Sequence, residues 1–217
     1  MAMRVAVVAH GAIDDVAWLR GRLDAADLIV AADGGAAAVW SCGRCPHVVV
    51  GDFDSLAPSL RATIEAAGCE FRTSPRAKDQ TDLELALLLA GERGATSIEV
   101  LGALGGERLD HALANVFALA LPESTGLPVT LTDRRHEVCL LRGPGRGALV
   151  GRPGEIVTLI PLTVEATGID TTGLLYPLQH ETLHLGRSRG VSNEFTGEEA
   201  SVQLTEGLLL VVVHRGT

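Results

Sequence analysis

Apolar residues in the first 133 positions come in short runs, at residues 4–9, 28–32, 48–50, 70–73, 98–101 and 128–132. Between them apolar positions recur at helical spacing, most clearly over 83–90 and 111–121 and again around 59–67. Strands that are apolar throughout have no solvent face. Alternating with helices, they indicate a parallel sheet covered on both sides. Right-handed crossovers then carry the C-terminal ends of the strands, and any ligand site, to one edge.

The texture changes after Asp133. Strand-like segments follow at 138–141, 155–160, 182–185, 200–204 and 208–214, separated by turn signals such as Gly143-Pro144-Gly145, Arg152-Pro153-Gly154 and Glu206-Gly207. No long helical period interrupts them, which reads as a small antiparallel β-sandwich. The expected fold is therefore α/β then all-β. A mostly parallel, Rossmann-like α/β domain spans residues 1–133 and an antiparallel β-sandwich spans 134–217.

Composition narrows the classes without choosing among them. Of 217 residues, 47% are hydrophobic and 21% charged, the balance of a globular chain with ample core material. No apolar run approaches the roughly 20 residues that span a bilayer. The N-terminus enters a strand-like run without the basic region and cleavage site of a signal peptide, so a cytoplasmic location is expected. A net charge of −9 argues against nucleic-acid or anionic-membrane partners, which select a basic face. The single lysine, Lys78, falls inside one of the motifs below. Cys42-Gly43-Arg44-Cys45 has the spacing of half a zinc site or a redox pair. It lacks a second ligand pair and follows a helix-like stretch, so ordinary thiols at a helix end are the better reading.

The candidate chemistry lies where apolar runs end. Gly51-Asp52-Phe53-Asp54-Ser55 follows Val48-Val49-Val50, and carboxylates two apart suit magnesium carrying nucleotide phosphates. A turn with Asp54 or Ser55 capping the next helix explains the same residues. Lys78-Asp79-Gln80-Thr81-Asp82-Leu83-Glu84 opens a helix, with Thr81 and Glu84 at capping-box spacing; Asp79 and Asp82 can share one helix face. Gly105-Gly106-Glu107-Arg108-Leu109-Asp110-His111 places glycines, a guanidinium and an acid before another helix, the chemistry of an anion site. Asp33-Gly34-Gly35 has the same placement, and His10-Gly11 shares the edge; both are candidates by position for the adenine side. Each motif alone has a structural explanation. Their convergence on one predicted edge favours a phosphate-handling metal site, and no Walker loop or protein-kinase motif set is present to hold a nucleotide otherwise.

Taken together these motifs resemble thiamine pyrophosphokinase. The match comprises Asp33-Gly34-Gly35, Gly51 to Ser55, Asp79 with Thr81-Asp82, Gly105-Gly106 with Arg108, Asp110 and His111, and Asn115 in the following helix. It continues through Thr172-Gly173-Leu174, Tyr176-Pro177-Leu178 and Gly190-Val191-Ser192-Asn193-Glu194-Phe195, so it covers essentially the whole chain. The resemblance implies a transferase, ATP plus thiamine giving thiamine diphosphate and AMP, working as a homodimer with shared active sites. It implies that Asp52, Asp54 and Asp82 hold Mg2+, with Asp79 and Asp110 among the catalytic acids. By the same resemblance Lys78 and Arg108 would face phosphates, and Gly34, Gly35, Thr81, Gly105, Gly106 and His111 would lie on the nucleotide side with Asp33. The resemblance also implies that Ser192 and Asn193, contributed by the other subunit, contact thiamine; as residues alone they are equally turn formers. Glu107 looks like an insertion before Arg108 relative to the commoner family spacing. The alternatives are diphosphate transfer to a hydroxymethyl pterin and a non-catalytic sensor of nucleotide or thiamine derivatives.

Overall fold

The computed structural model describes residues 2–75, 79–121 and 126–216. Two compact units divide the chain, Met1–Asp133 and Arg134–Thr217.

The first unit is built on β1 (Arg4–Val8), β2 (Leu28–Ala32), β3 (Val48–Gly51), β4 (Glu70–Thr73), β5 (Ser97–Leu101) and β6 (Val129–Thr132). Every neighbouring pair is parallel, in the order β6-β5-β1-β2-β3-β4. Val5 to Val8, Ile29 to Ala32 and Val48 to Val50 are all buried, as strands covered on both faces must be. Strands are added outward from β1 to β4, after which the chain returns to the other side of β1. The edge between β1 and β5 is therefore a topological switch point of the sheet.

Among the described residues, the α-helices that connect these strands are α1 (Val16–Asp24), α2 (Gly35–Ser41), α3 (Pro58–Ala66), α4 (Asp82–Glu92) and α5 (Leu109–Phe117). Three of them match the helical stretches expected at 59–67, 83–90 and 111–121. Helix α1 is less legible because only Leu19 and Leu23 are fully buried, a stripe too thin to stand out among its polar residues. Its start is set by Asp15, whose carboxylate accepts from the Trp18 N–H at 2.8 Å.

The second unit is antiparallel throughout. Strand β14 (Leu208–His214) pairs with β7 (His136–Arg142) and β9 (Ile156–Pro161), and β9 with the short β12 (Asn193–Glu194). A second set runs β11 (Glu181–His184), β10 (Glu165–Thr172), β13 (Glu199–Leu204), β8 (Gly145–Val150). One apolar cluster draws on both sets, including Val157, Leu159, Ile169, Val202, Leu209 and Val211. Strands β8 and β10 lie outside the expected list. Their sequences, Gly-Arg-Gly-Ala-Leu-Val and Glu-Ala-Thr-Gly-Ile-Asp-Thr-Thr, carry glycines and polar residues where a strand signal needs apolar alternation.

Candidate active site

The end of β2 presents a carboxylate in an unusual setting. Asp33 has φ of 46°, a left-handed conformation held by its N–H on the Val50 carbonyl at 2.8 Å and its carbonyl on the Ala36 N–H at 3.1 Å. Its side chain is 6% exposed, and Oδ1 has no hydrogen-bond partner. The two glycines that follow serve close packing. A Cβ on Gly35 would stand 2.1 Å from the Val8 carbonyl oxygen, so only glycine lets α2 start against β1. A Cβ on Gly34 would stand 2.6 Å from three atoms of the His10 ring, whose face lies flat over this residue.

At the end of β3 the chain leaves the sheet through Gly51, with φ of 152°. Phe53 then adopts φ of 64° and is buried, its ring edge-on to Phe71 at 5.2 Å with the Arg61 guanidinium 4.6 Å above it. On either side of this anchored phenyl, Asp52 is half-buried and Asp54 exposed. Asp52 accepts from the Asp54 N–H at 3.1 Å, and Ser55 Oγ donates to Asp54 at 3.1 Å. Asp33, Asp52 and Asp54 each place a carboxylate oxygen within 4.8 Å of the others. Asp82, the first residue of α4, is close as well. Its Oδ1 would stand 3.3 Å from a Cβ on Gly51, and Asp33 Cβ 3.0 Å from the same point. Glycine at 51 is what allows the ends of β2, β3 and α4 to crowd together.

Four carboxylates so placed repel one another. Two unit charges about 5 Å apart cost roughly 3 kcal/mol at an effective dielectric near 20. The Asp33 carboxyl is accordingly pushed above the usual aspartate range, chiefly by burial and further by Asp82 and Asp52, with the nearby Ser55 hydroxyl and the Gly34 N–H pulling the other way. An acceptor-rich cluster that runs from buried Asp33 to exposed Asp54, with one Asp33 oxygen unsatisfied, matches what a hard divalent cation requires.

Across the switch point, Gly11 donates its N–H to the Gly102 carbonyl at 2.8 Å, and a Cβ there would stand 2.2 Å from that oxygen and 2.5 Å from the Gly105 carbonyl. The loops after β1 and β5 interlock through this glycine. Asn115 on α5 donates to the Ala103 carbonyl at 2.9 Å and ties the helix to the same loop. Arg108, expected to face phosphates, holds Asp110 in a two-point ion pair at 2.9 and 2.5 Å, with both side chains more than half exposed. The Arg108 guanidinium holds the Asp110 carboxyl well below the usual carboxylate range. Gly105, Gly106, Glu107 and His111 are exposed beside this pair. Thr81 caps α4, accepting from the Glu84 N–H at 3.1 Å, and Asp79 is exposed just before it. Lys78 lies outside the described residues.

Ser192 and Asn193 belong to the second unit. Ser192 is exposed, with φ of 59° and its N–H on Thr158 Oγ1 at 3.1 Å. Asn193 is 7% exposed, and its amide is engaged within the chain: Oδ1 accepts from the Tyr176 N–H at 2.9 Å and the Glu194 N–H at 3.0 Å, while Nδ2 donates to the Tyr176 carbonyl at 2.7 Å.

The structure thus brings Asp33, Asp52 and Asp54 together, with Asp82 adjacent. Asp110 is paired to Arg108 on a different loop. The place of Asp33 in the acidic cluster is the feature that sequence patterns did not isolate; an aspartate leading a Gly-Gly pair at a strand end was its only signal.

A parallel α/β unit that gathers carboxylates at its strand ends, followed by an antiparallel β unit, defines a class of two-part proteins with an acidic strand-end site. Comparison with known families makes the assignment particular. Residues 19–131 match the family model described as thiamin pyrophosphokinase, catalytic domain, and residues 147–209 match thiamin pyrophosphokinase, vitamin B1 binding domain. The chain belongs to the thiamin pyrophosphokinase family. It is 29% identical over 207 residues to the thiamine pyrophosphokinase of Bacillus subtilis (strain 168), covering 95% of this chain and 96% of that one. The crystal structure of thiamine pyrophosphokinase from Bacillus subtilis superposes with a TM-score of 0.88 at 27% identity, covering 99% of this chain and 100% of that chain. The thiamin pyrophosphokinase of Geobacillus thermodenitrificans gives 0.84 at 25% identity, covering 99% of each.

Proposed function

We propose that this chain is a thiamine diphosphokinase that transfers the diphosphate of ATP to the hydroxyl of thiamine, giving thiamine diphosphate and AMP. The observation that carries this reading is the match of both family models in order, the first spanning the stretch that supplies the carboxylate cluster. In this reading the first unit is a Rossmann-like nucleotide-binding domain and the second a β-sandwich that receives thiamine.

Asp33, Asp52 and Asp54, with Asp82 beside them, are the residues that would hold Mg2+. Their hard oxygens and the unsatisfied Asp33 Oδ1 fit that ion. Bound there, magnesium supplies neutralisation of the phosphate charge. The chain's own groups do the positioning. Arg108 is suited to grip phosphate oxygens with the same two-point fork that it now closes on Asp110, beside the exposed glycines at 105 and 106. Lys78, Thr81, His111, Gly34 and Gly35 complete the nucleotide side. The thiamine hydroxyl oxygen attacks the β-phosphorus in line, the bond from that phosphorus to the oxygen of the α-phosphate breaks, and AMP departs. Asp82 or Asp110 accepts the hydroxyl proton. Asp79 adds negative charge nearby, and Ser192 meets thiamine.

A cytoplasmic homodimer fits this reading. Among the described residues no helix is long and apolar enough to cross a membrane. Leu109, Leu113 and Phe117, spaced four apart along α5, are at least half exposed, an apolar stripe suited to an interface between copies.

Incubation with ATP, Mg2+ and thiamine is expected to release AMP and thiamine diphosphate in equal amounts. Absence of AMP with thiamine, or equal AMP release with a hydroxymethyl pterin, would overturn the assignment.

A further inference from the structure

The second unit holds a pair of histidines that the proposed reaction does not use. His136 opens β7 and His214 closes β14, and the antiparallel register sets them directly opposite. The next pair along is hydrogen-bonded, the Arg215 N–H meeting the Arg135 carbonyl at 2.6 Å. Alternation then makes His136 and His214 a non-hydrogen-bonded pair, the kind that brings facing side chains closest. Both are half-buried. Their ring centroids are 4.9 Å apart with planes tilted by 45°, and His214 Nδ1 stands 3.1 Å from His136 Nε2. Strand β14 also pairs with β9 at this level, His214 against Ile156, so its end is held from both sides.

A spacing of 3.1 Å admits one N–H···N hydrogen bond. It is equally the bite of two nitrogens on one ion. At metal–nitrogen distances of about 2.0–2.1 Å, and angles between square and tetrahedral, the two donors lie roughly 2.8–3.4 Å apart. With each imidazole carrying its proton on the outer nitrogen, both lone pairs meet in the gap, and neither ring gains or loses a proton. The surrounding charge permits a cation. Side chains alternate faces, so Arg135 and Arg215 belong to the opposite face of the sheet from the histidines. There Arg215 is engaged by Glu137 at 2.7 Å and Glu155 at 3.1 Å, two carboxylates for one guanidinium. Imidazole nitrogens select differently from the carboxylates of the first unit, favouring copper, nickel and zinc ions over magnesium. We propose that His136 and His214 form a transition-metal site, a chelating pair for a divalent ion of the zinc, nickel or copper class, with water completing its coordination. Bound there, the ion staples the end of β14 to the start of β7, independently of any activity toward ATP or thiamine.

The test is calorimetric titration of the untagged full chain with Zn2+ in excess Mg2+, which competes for the strand-end carboxylates. Wild type should bind a single equivalent saturably, and H136N and H214N should each weaken that event at least tenfold. Saturating Zn2+ should also raise the wild-type melting temperature by about 3 °C or more, and shift either variant by less than about 1 °C. Cu2+ gives a readout that needs no variant. Its electron paramagnetic resonance spectrum in wild type should carry hyperfine structure from two imidazole nitrogens. Unchanged zinc affinity in both variants would put the ion elsewhere, on Glu165 and His184 for instance, and overturn the proposal. So would a wild-type chain that takes up no Zn2+ at roughly millimolar concentration, or a copper spectrum without paired nitrogen splitting.

Discussion

The two units bury polar side chains in opposite ways. In the first, Asp33 is almost wholly out of solvent with one oxygen unsatisfied and like charges around it. In the second, Asn193 is equally buried but has an acceptor used twice and a donor used once. A buried charge without a partner costs free energy that folding alone does not return, so its retention points to a ligand that completes it. A buried amide with its bonds made stabilises the chain segments that it joins. Both residues are buried polar groups in a family-matched region, and only hydrogen-bond accounting separates their roles.

Substitutions test that contrast most sharply where the effect is largest. Asp54→Asn, exposed at the cluster, should lower kcat on the order of 10²–10³-fold with an unaltered melting temperature; wild-type turnover would remove the metal assignment. Asn193→Ala strips three hydrogen bonds and leaves the Tyr176 and Glu194 N–H groups to find new partners. Chemical denaturation should report a loss of about 2 kcal/mol. Asp33→Asn goes the other way, raising the stability of the metal-free chain by about 1 kcal/mol while activity collapses. Equal destabilisation by both changes would erase the distinction.

A smaller effect is expected in the pH dependence. The folded-state pKa of Asp33 lies above its ordinary value of 3.8, so the folded chain holds this proton more tightly than the unfolded chain. Its contribution to stability is therefore present at low pH and lost as pH rises through that raised value. Metal-free wild type should show this downward slope relative to Asp33→Asn in denaturation at several pH values, and Mg2+ should flatten it. Parallel profiles would argue against the raised pKa.

The parallel sheet was legible because β1, β2 and β3 are apolar on both faces, a pattern few other structures demand. Strands β8 and β10 were not, since glycine and threonine carry them and their burial comes from partners distant in sequence. In the site, Asp52 and Asp54 announce themselves as a pair beside a strand. Asp33 does not, because its proximity to them depends on Gly51 having no side chain and on the β2–β3 register, both tertiary facts. The hydrogen bonds of Asn193 to Tyr176, across 17 residues of sequence, are equally invisible to spacing.

We propose that the strand-end carboxylates form a cation site completed by Asp33. Titration of the metal-free chain with Mn2+ as a paramagnetic stand-in for Mg2+, in the presence of ATP, tests it directly. Wild type should bind the ion saturably at this cluster, with affinity weakened at least tenfold in both Asp33→Asn and Asp54→Asn. Wild-type affinity in both variants would contradict it.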